Sequence, residues 1–248
     1  MIVVVPVAPP RDGLVLASLA EQTPLSEREA RRLYEATTAD VLRAIAASGG
    51  ELLVNYRDEE TLPAGFDGGD PEAEVRAIAE DALTEETLSD VRFERQVGST
   101  RSARVGNTVT HLLEREETAS VGVLEPTVPL VGRTEIDGAA MSIRRHDVVL
   151  GPSSSGRTYL SAFSESIDFE DAYAVPELST LATRASDAGL QSGFAPMFPT
   201  VDTEQGLCAT VAMLEAQTAA NRVNALDTAD VVGELGLEVG ADERLERR

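Results

Sequence analysis

Ile2-Val3-Val4-Val5-Pro6-Val7 is an unbroken apolar run, mostly β-branched, near the start of the chain. A strand with one wet face alternates apolar and polar side chains, whereas a continuous apolar run fits a strand covered on both faces. Outward from it, strand-like and helix-like segments alternate. Pro24-Leu25-Ser26 opens a helix, with Ser26 as N-cap and Glu29 three residues on completing a capping box. Ala30, Leu33, Tyr34, Thr37, Val41 and Ile45 then recur at three- and four-residue spacing until Gly49-Gly50 stops the helix. Glu51–Tyr56 reads as the second strand and residues 57–70 as a Gly- and Pro-containing loop. Pro71 takes the first position of the next helix. Further strands are expected at Val91–Gln96, Ala119–Leu124, Asp147–Leu150 and Tyr159–Phe163. Helices are expected at 102–116, 134–143, 177–189 and 203–220. One strand per helix predicts a three-layer α/β/α sandwich around a mostly parallel, mixed sheet. Residues 1–222 form this single domain in the reading, and residues 223–248, richer in charge and glycine, an acidic C-terminal tail, helical or frayed.

The 248 residues hold 43 acidic and 21 basic side chains, a formal charge of −22, and every basic residue is arginine. Such a carboxylate-rich surface suits a protein dissolved in concentrated salt, where self-repulsion is screened within a few ångströms. Without lysine, no Schiff base and no P-loop lysine can form, so an anionic substrate must be held by arginine, backbone N–H groups or a metal. The acidity, the absence of tryptophan and the ten other aromatics argue against nucleic acid. The single cysteine, Cys208, excludes an internal disulfide and a multi-cysteine metal site, and reads as a core residue of a helix. No apolar run approaches the roughly 20 residues of a membrane span, so a cytoplasmic protein is expected. No Gly-x-Ser-x-Gly elbow is present, and His111 and His146 read as surface or packing residues. Arg144-Arg145 suits the C-terminal end of a helix.

In open parallel sheets, ligands bind beyond the carboxyl ends of the strands. Three such ends are unusual: Pro6–Gly13, Glu125-Pro126-Thr127-Val128-Pro129 and Gly151-Pro152-Ser153-Ser154-Ser155-Gly156. Several stretches resemble the GT-A fold nucleotidyl- and glycosyltransferases, most closely a bacterial and archaeal branch beside the phospholactate guanylyltransferases. Leu25–Glu29 through Leu33-Tyr34-Glu35-Ala36 and Asp40-Val41-Leu42 resembles the family's first helix. Gln96-Val97-Gly98 resembles its glutamine-glycine segment. Val148–Ser153 with Tyr159-Leu160 resembles its strand, substrate loop and next strand. Val201-Asp202-Thr203 through Leu207 resembles the element opening its last main helix.

The resemblance implies a nucleotide-diphospho-sugar transferase-like fold and a nucleotide or sugar nucleotide as ligand. It also implies glycosyl or nucleotidyl transfer assisted by Mg²⁺ or Mn²⁺, and admits a homodimer. Three positions depart from the pattern. Only Arg11 stands where the family has a Lys-x-Arg grip. Thr127 replaces the metal-binding aspartate two residues before a proline, with Glu125 two residues earlier. Ser155-Gly156-Arg157 replaces Asp-Gly-Gly. The resemblance therefore assigns Arg11, Thr127, Ser153, Ser154, Ser155 and Arg157 to substrate, and Glu125 with Asp202 to the metal. The plainer alternatives are Glu125 as a surface acid, Asp202 as a helix N-cap and Gly151–Gly156 as a simple turn. A transferase and a catalytically inactive descendant that binds a nucleotide or a protein both remain open, the latter motivated by the missing aspartate.

Overall fold

The computed structural model describes residues 1–248. Strand β1 (Ile2–Val7) divides the interior: Val3, Val5 and Val7 enter one buried cluster, while Ile2 and Val4 enter another on the opposite face. Alternation along a strand thus feeds two cores, as a doubly covered strand requires. The other elements follow as α1 (Ala17–Gln22), α2 (Glu27–Ala46), β2 (Glu51–Tyr56), α3 (Pro71–Ala82), α4 (Glu85–Ser89), β3 (Arg92–Arg95), α5 (Arg101–Glu114), β4 (Val121–Leu124) and α6 (Arg133–Ser142). After these come β5 (Val148–Pro152), β6 (Thr158–Phe163), α7 (Glu177–Asp187), β7 (Ser192–Phe194), α8 (Glu204–Ala219), α9 (Leu226–Glu234), β8 (Leu237–Val239) and β9 (Leu245–Arg247).

Strands β1 to β7 form one sheet in the order β3-β2-β1-β4-β6-β5-β7, and only β6 runs antiparallel to its neighbours. Helices α2, α3 and α6 cover one face; α5 and α7 cover the other. This is the three-layer, mostly parallel arrangement the sequence predicts. The Ser26–Glu29 capping box is also present: Ser26 N donates to Glu29 Oε2 at 2.8 Å and Glu29 N to Ser26 Oγ at 3.4 Å.

The chain lays β2 and β3 on one side of β1 and then places β4 on the other. The strand order therefore reverses between β1 and β4, the position where open α/β sheets bind ligands. Pro6 has no N–H to give to a ladder. Pairing between β1 and β4 runs only from Ile2–Val121 to Val4–Val123, so the sheet opens at Pro6.

Residues 223–248, expected as a helical or frayed tail, form a helix and a hairpin that pack on the rest of the chain. Helix α9 packs on α2, and β8 and β9 pair as an antiparallel hairpin against α8. Val232, Leu237 and Leu245 share a core cluster with Leu33, Leu207 and Val211. Asp40 of α2 caps α9 from outside: its Oδ2 accepts from Thr228 N at 2.9 Å and from Thr228 Oγ1 at 2.7 Å. That cap comes from a residue nearly two hundred positions away, so local sequence carries no sign of it. No helix is long and apolar enough to cross a membrane.

Candidate functional site

Strands β1 to β4 end at one edge, and the residues that follow them face a single cavity of about 210 Å³. Ala8 follows β1, Arg57 follows β2, Gln96 follows β3 and Glu125-Pro126-Thr127 follows β4. Arg101 and Arg104 reach it from the first turn of α5, and Asp202 from the turn before α8. Local structure fixes each of these. The Tyr34 hydroxyl accepts from Ala8 N at 2.9 Å and holds the turn after β1. Gly98, at φ +136°, lies against the start of α5; a Cβ there would sit 2.9 Å from Arg104 N, so only glycine allows the approach. A Cβ on Gly206 would fall 1.9 Å from the Thr200 carbonyl oxygen, so glycine also permits the tight turn that presents Asp202.

Arg101, itself about a third exposed, is the hub of an ionic network with two largely buried acids. Its Nη2 donates to Glu125 Oε1 at 2.7 Å, and its Nη1 lies 3.5 Å from Glu177 Oε1. The guanidinium also faces the Tyr173 ring at 5.3 Å. The second Glu177 oxygen accepts from both the N–H and the hydroxyl of Thr158 at 3.1 Å. Burial pushes the Glu125 carboxyl up to about 7, with the charges of Glu177 and Asp202 adding to the shift and Arg101 opposing it. Burial works against the charge of Arg101, but Glu125 and Glu177 together raise its pKa.

The other two arginines have no acid. Arg104 Nε donates to Gln96 Oε1 at 2.8 Å, and Gln96 is itself held by the Asn55 carbonyl at 2.7 Å. Burial, then repulsion from Arg57 and Arg101, lowers the Arg104 pKa to about 10. Arg57 donates to the Thr61 carbonyl, its Nε is buried without a partner, and burial lowers its pKa as well. The hydroxyl of Thr127 is likewise buried and unpartnered. An unsatisfied buried polar atom costs about 1–3 kcal/mol, so two at one cavity are informative.

Of the residues singled out from the sequence, Glu125, Thr127 and Asp202 line this cavity together. Glu125 is not the surface acid of the plainer alternative, since its side chain is only 13% exposed. Asp202 is not the N-cap of α8; Thr203 is, accepting from Gly206 N at 3.1 Å. Arg11 lies outside the lining, turned toward α3, where Glu74 grips it in a bidentate pair at 2.9 and 2.7 Å and the Phe66 carbonyl accepts a third bond. Ser153, Ser154 and Ser155 also lie outside it. Ser153 is buried with its Oγ 3.3 Å from Thr200 Oγ1, and Ser154–Gly156 form a single 3₁₀ turn. Arg157, half-buried and without an ion pair, acts on Glu125 by charge.

Arg57, Arg101 and Arg104 went unnoticed in the sequence. One signal for two of them was present. Arg101 and Arg104 stand at the start of a helix that has no acid in its first turn, where the helix dipole disfavours cations. A second, larger cavity of about 710 Å³ lies between α8, α9 and β8, away from the strand ends and with chiefly apolar walls.

The donor set does not suit a divalent cation. Mg²⁺ takes hard oxygen ligands in near-octahedral geometry, usually one or two carboxylates together with phosphates and waters, and neighbouring cations weaken its hold. Glu125 is already bonded to Arg101, Thr127 offers only a neutral hydroxyl, and Asp202 is the one remaining carboxylate among three guanidinium groups. No three His, Cys, Asp or Glu side chains converge in a way that could hold a metal ion.

No protein-family model and no curated protein matches the sequence. Solved structures do share its architecture. A protein of Desulfovibrio desulfuricans G20, classed provisionally as a nucleotide-diphospho-sugar transferase, is 16% identical. The match covers 94% of this chain and 96% of that one, at a TM-score of 0.70. A cytidylyltransferase of Leptospira borgpetersenii serovar Hardjo-bovis (strain JB197) is 10% identical. That match covers 94% of this chain and 93% of the other, at a TM-score of 0.50. At these identities the likeness concerns the fold alone: the chain has a nucleotide-diphospho-sugar transferase-like fold.

Proposed function

We propose that this protein handles a nucleotide or sugar nucleotide, held by its phosphates at the cavity beyond β1 to β4, and transfers a glycosyl or nucleotidyl group from it. One observation carries the reading. In a chain with twice as many acids as bases, three arginines meet only two carboxylates here, and one carboxylate is neutralised by Arg101. Charge-assisted bonds from guanidinium groups to phosphate are strong and bidentate. The N-terminus of α5 adds positive potential at the same place. Asp202, which makes no ion pair, is placed to accept from a sugar or acceptor hydroxyl. Transfer of this kind depends mostly on positioning and charge neutralisation, which arginines supply.

A second reading, a binding protein that no longer transfers, is favoured by Thr127 standing where the related pattern has its metal-binding aspartate. A thermal-shift panel of nucleoside triphosphates and sugar nucleotides in molar KCl tests the common part. The true ligand raises the melting temperature progressively with log concentration. A flat response across the panel contradicts both readings, and a ligand that binds but is never turned over selects the second. The same instrument tests the high-salt reading, since the melting temperature should fall as KCl drops toward 0.1 M and the Debye length grows to about 10 Å.

A further inference from the structure

We infer that Arg57 and Arg104 stand in for a divalent cation: with the Thr127 hydroxyl they bind the polyphosphate of the ligand directly, without a bridging metal. The inference rests on the nucleotide reading above and goes beyond it by assigning the charge that the phosphates require.

The distribution of arginines is the first support. Most are paired with carboxylates, and among those without an ion pair, Arg28, Arg115, Arg144, Arg145 and Arg222 are exposed to solvent. Arg57, Arg104 and Arg157 are unpaired yet partly buried, and all three lie at the cavity or act on Glu125 in it. Partly burying a cation without an anion is costly, and setting Arg104 in the first turn of a helix adds to the cost. A bound polyanion would offset both.

The orphaned atoms are the second support. Thr127 is 3% exposed, and its Oγ1, like Arg57 Nε, is a buried donor with nothing to bond. Two buried donors without acceptors, on residues that line one cavity, match an oxygen-rich ligand. Size is the third. About 210 Å³ falls below the roughly 300–1,000 Å³ of pockets that enclose whole small molecules, so the cavity suits phosphates with the nucleoside outside. The carboxylates oppose a polyanion less than their number suggests, because Glu125 is bonded to Arg101, which leaves Asp202 alone.

The test is titration calorimetry of the full chain with inorganic triphosphate in molar KCl, once with EDTA and once with MgCl₂. The inference expects dissociation constants within about threefold of each other. It also expects Arg57→Gln and Arg104→Gln each to weaken binding about 10- to 100-fold in EDTA, the loss of one charge-assisted contact. Arg92→Gln, outside the cavity, should leave binding unchanged, and circular dichroism establishes that each variant is folded. The comparison of EDTA with magnesium uses the unaltered chain, so it stands even if a variant fails to fold. Binding only with Mg²⁺ or Mn²⁺ present overturns the inference and leaves the nucleotide reading intact. Unchanged affinity in both cavity variants overturns it as well. Failure of triphosphate and of every nucleoside triphosphate to bind, with or without metal, overturns both.

Discussion

Arg92 and Arg104 sit on adjacent elements, β3 and α5, in opposite surroundings. Arg92 donates to both carboxylate oxygens of Glu116 at 2.9 and 2.8 Å and also to Glu94, and these bonds raise its pKa. Arg104 has an amide and, at 3.4 Å, the Ser99 carbonyl, and its pKa is lowered to about 10. On the outer face an arginine such as Arg92 is met by several acids. At the strand ends the chain withholds them from Arg104. The difference separates two uses of one residue type: arginine that holds the surface together, and arginine kept available for an anion from outside.

The comparison can be broken first at Arg101, which belongs to both regions because it is cationic, in the cavity and already paired. Arg101→Met leaves Glu125 and Glu177 without their cation. It should cost about 2–3 kcal/mol in chemical denaturation at molar KCl, less than a fully buried pair because the Arg101 side chain is 35% exposed. A loss under about 1 kcal/mol would show that the network is not structural. A second test sharpens it through pH. The folded-state pKa of Glu125 lies near 7, above its ordinary 4.5, so the native protein holds the extra proton between those values. Its contribution to stability is then full below about pH 4.5 and lost as pH rises through 7, by at most about 3 kcal/mol. Glu125→Gln should therefore gain on the unaltered protein across that interval and run parallel above about pH 8, read from melting curves of both. A constant difference from pH 4.5 to 8 would contradict the burial argument. The smallest effect belongs to Thr127→Val. Removing an unpartnered buried hydroxyl should leave stability unchanged or raise it by about 1 kcal/mol while weakening triphosphate binding. Destabilisation by more than about 1 kcal/mol would mean that the hydroxyl is satisfied in the folded protein.

The sheet was legible because its signals are local. Ile2–Val7 is an apolar run and Glu51–Tyr56 holds one, Leu52-Leu53-Val54, and both strands carry the expected limits in the structure. The hairpin and the docking of α9 were not legible, because their stabilising partners, Asp40, Leu33 and Leu207, are distant in sequence. The cavity was legible in half. Glu125 and Thr127 could be singled out because they depart from a recognisable pattern at a strand end, and Asp202 because it matches one at a helix start. Arg57 and Arg104 break no pattern, and one arginine of 21 looks like another until its neighbours are known. Arg11 stood out for its position in the first loop, yet what fixes its direction is Glu74, on a helix sixty-three residues later.

The most direct test of the central claim is a crystal structure of the protein with a nucleoside triphosphate, grown in molar KCl with EDTA. The account predicts phosphate oxygens within hydrogen-bond distance, about 2.7–3.2 Å, of the Arg57 and Arg104 guanidinium groups and of Thr127 Oγ1. Phosphates bound instead at the Ser153–Gly156 turn or beside Arg11, with the cavity arginines left as they are, would contradict it.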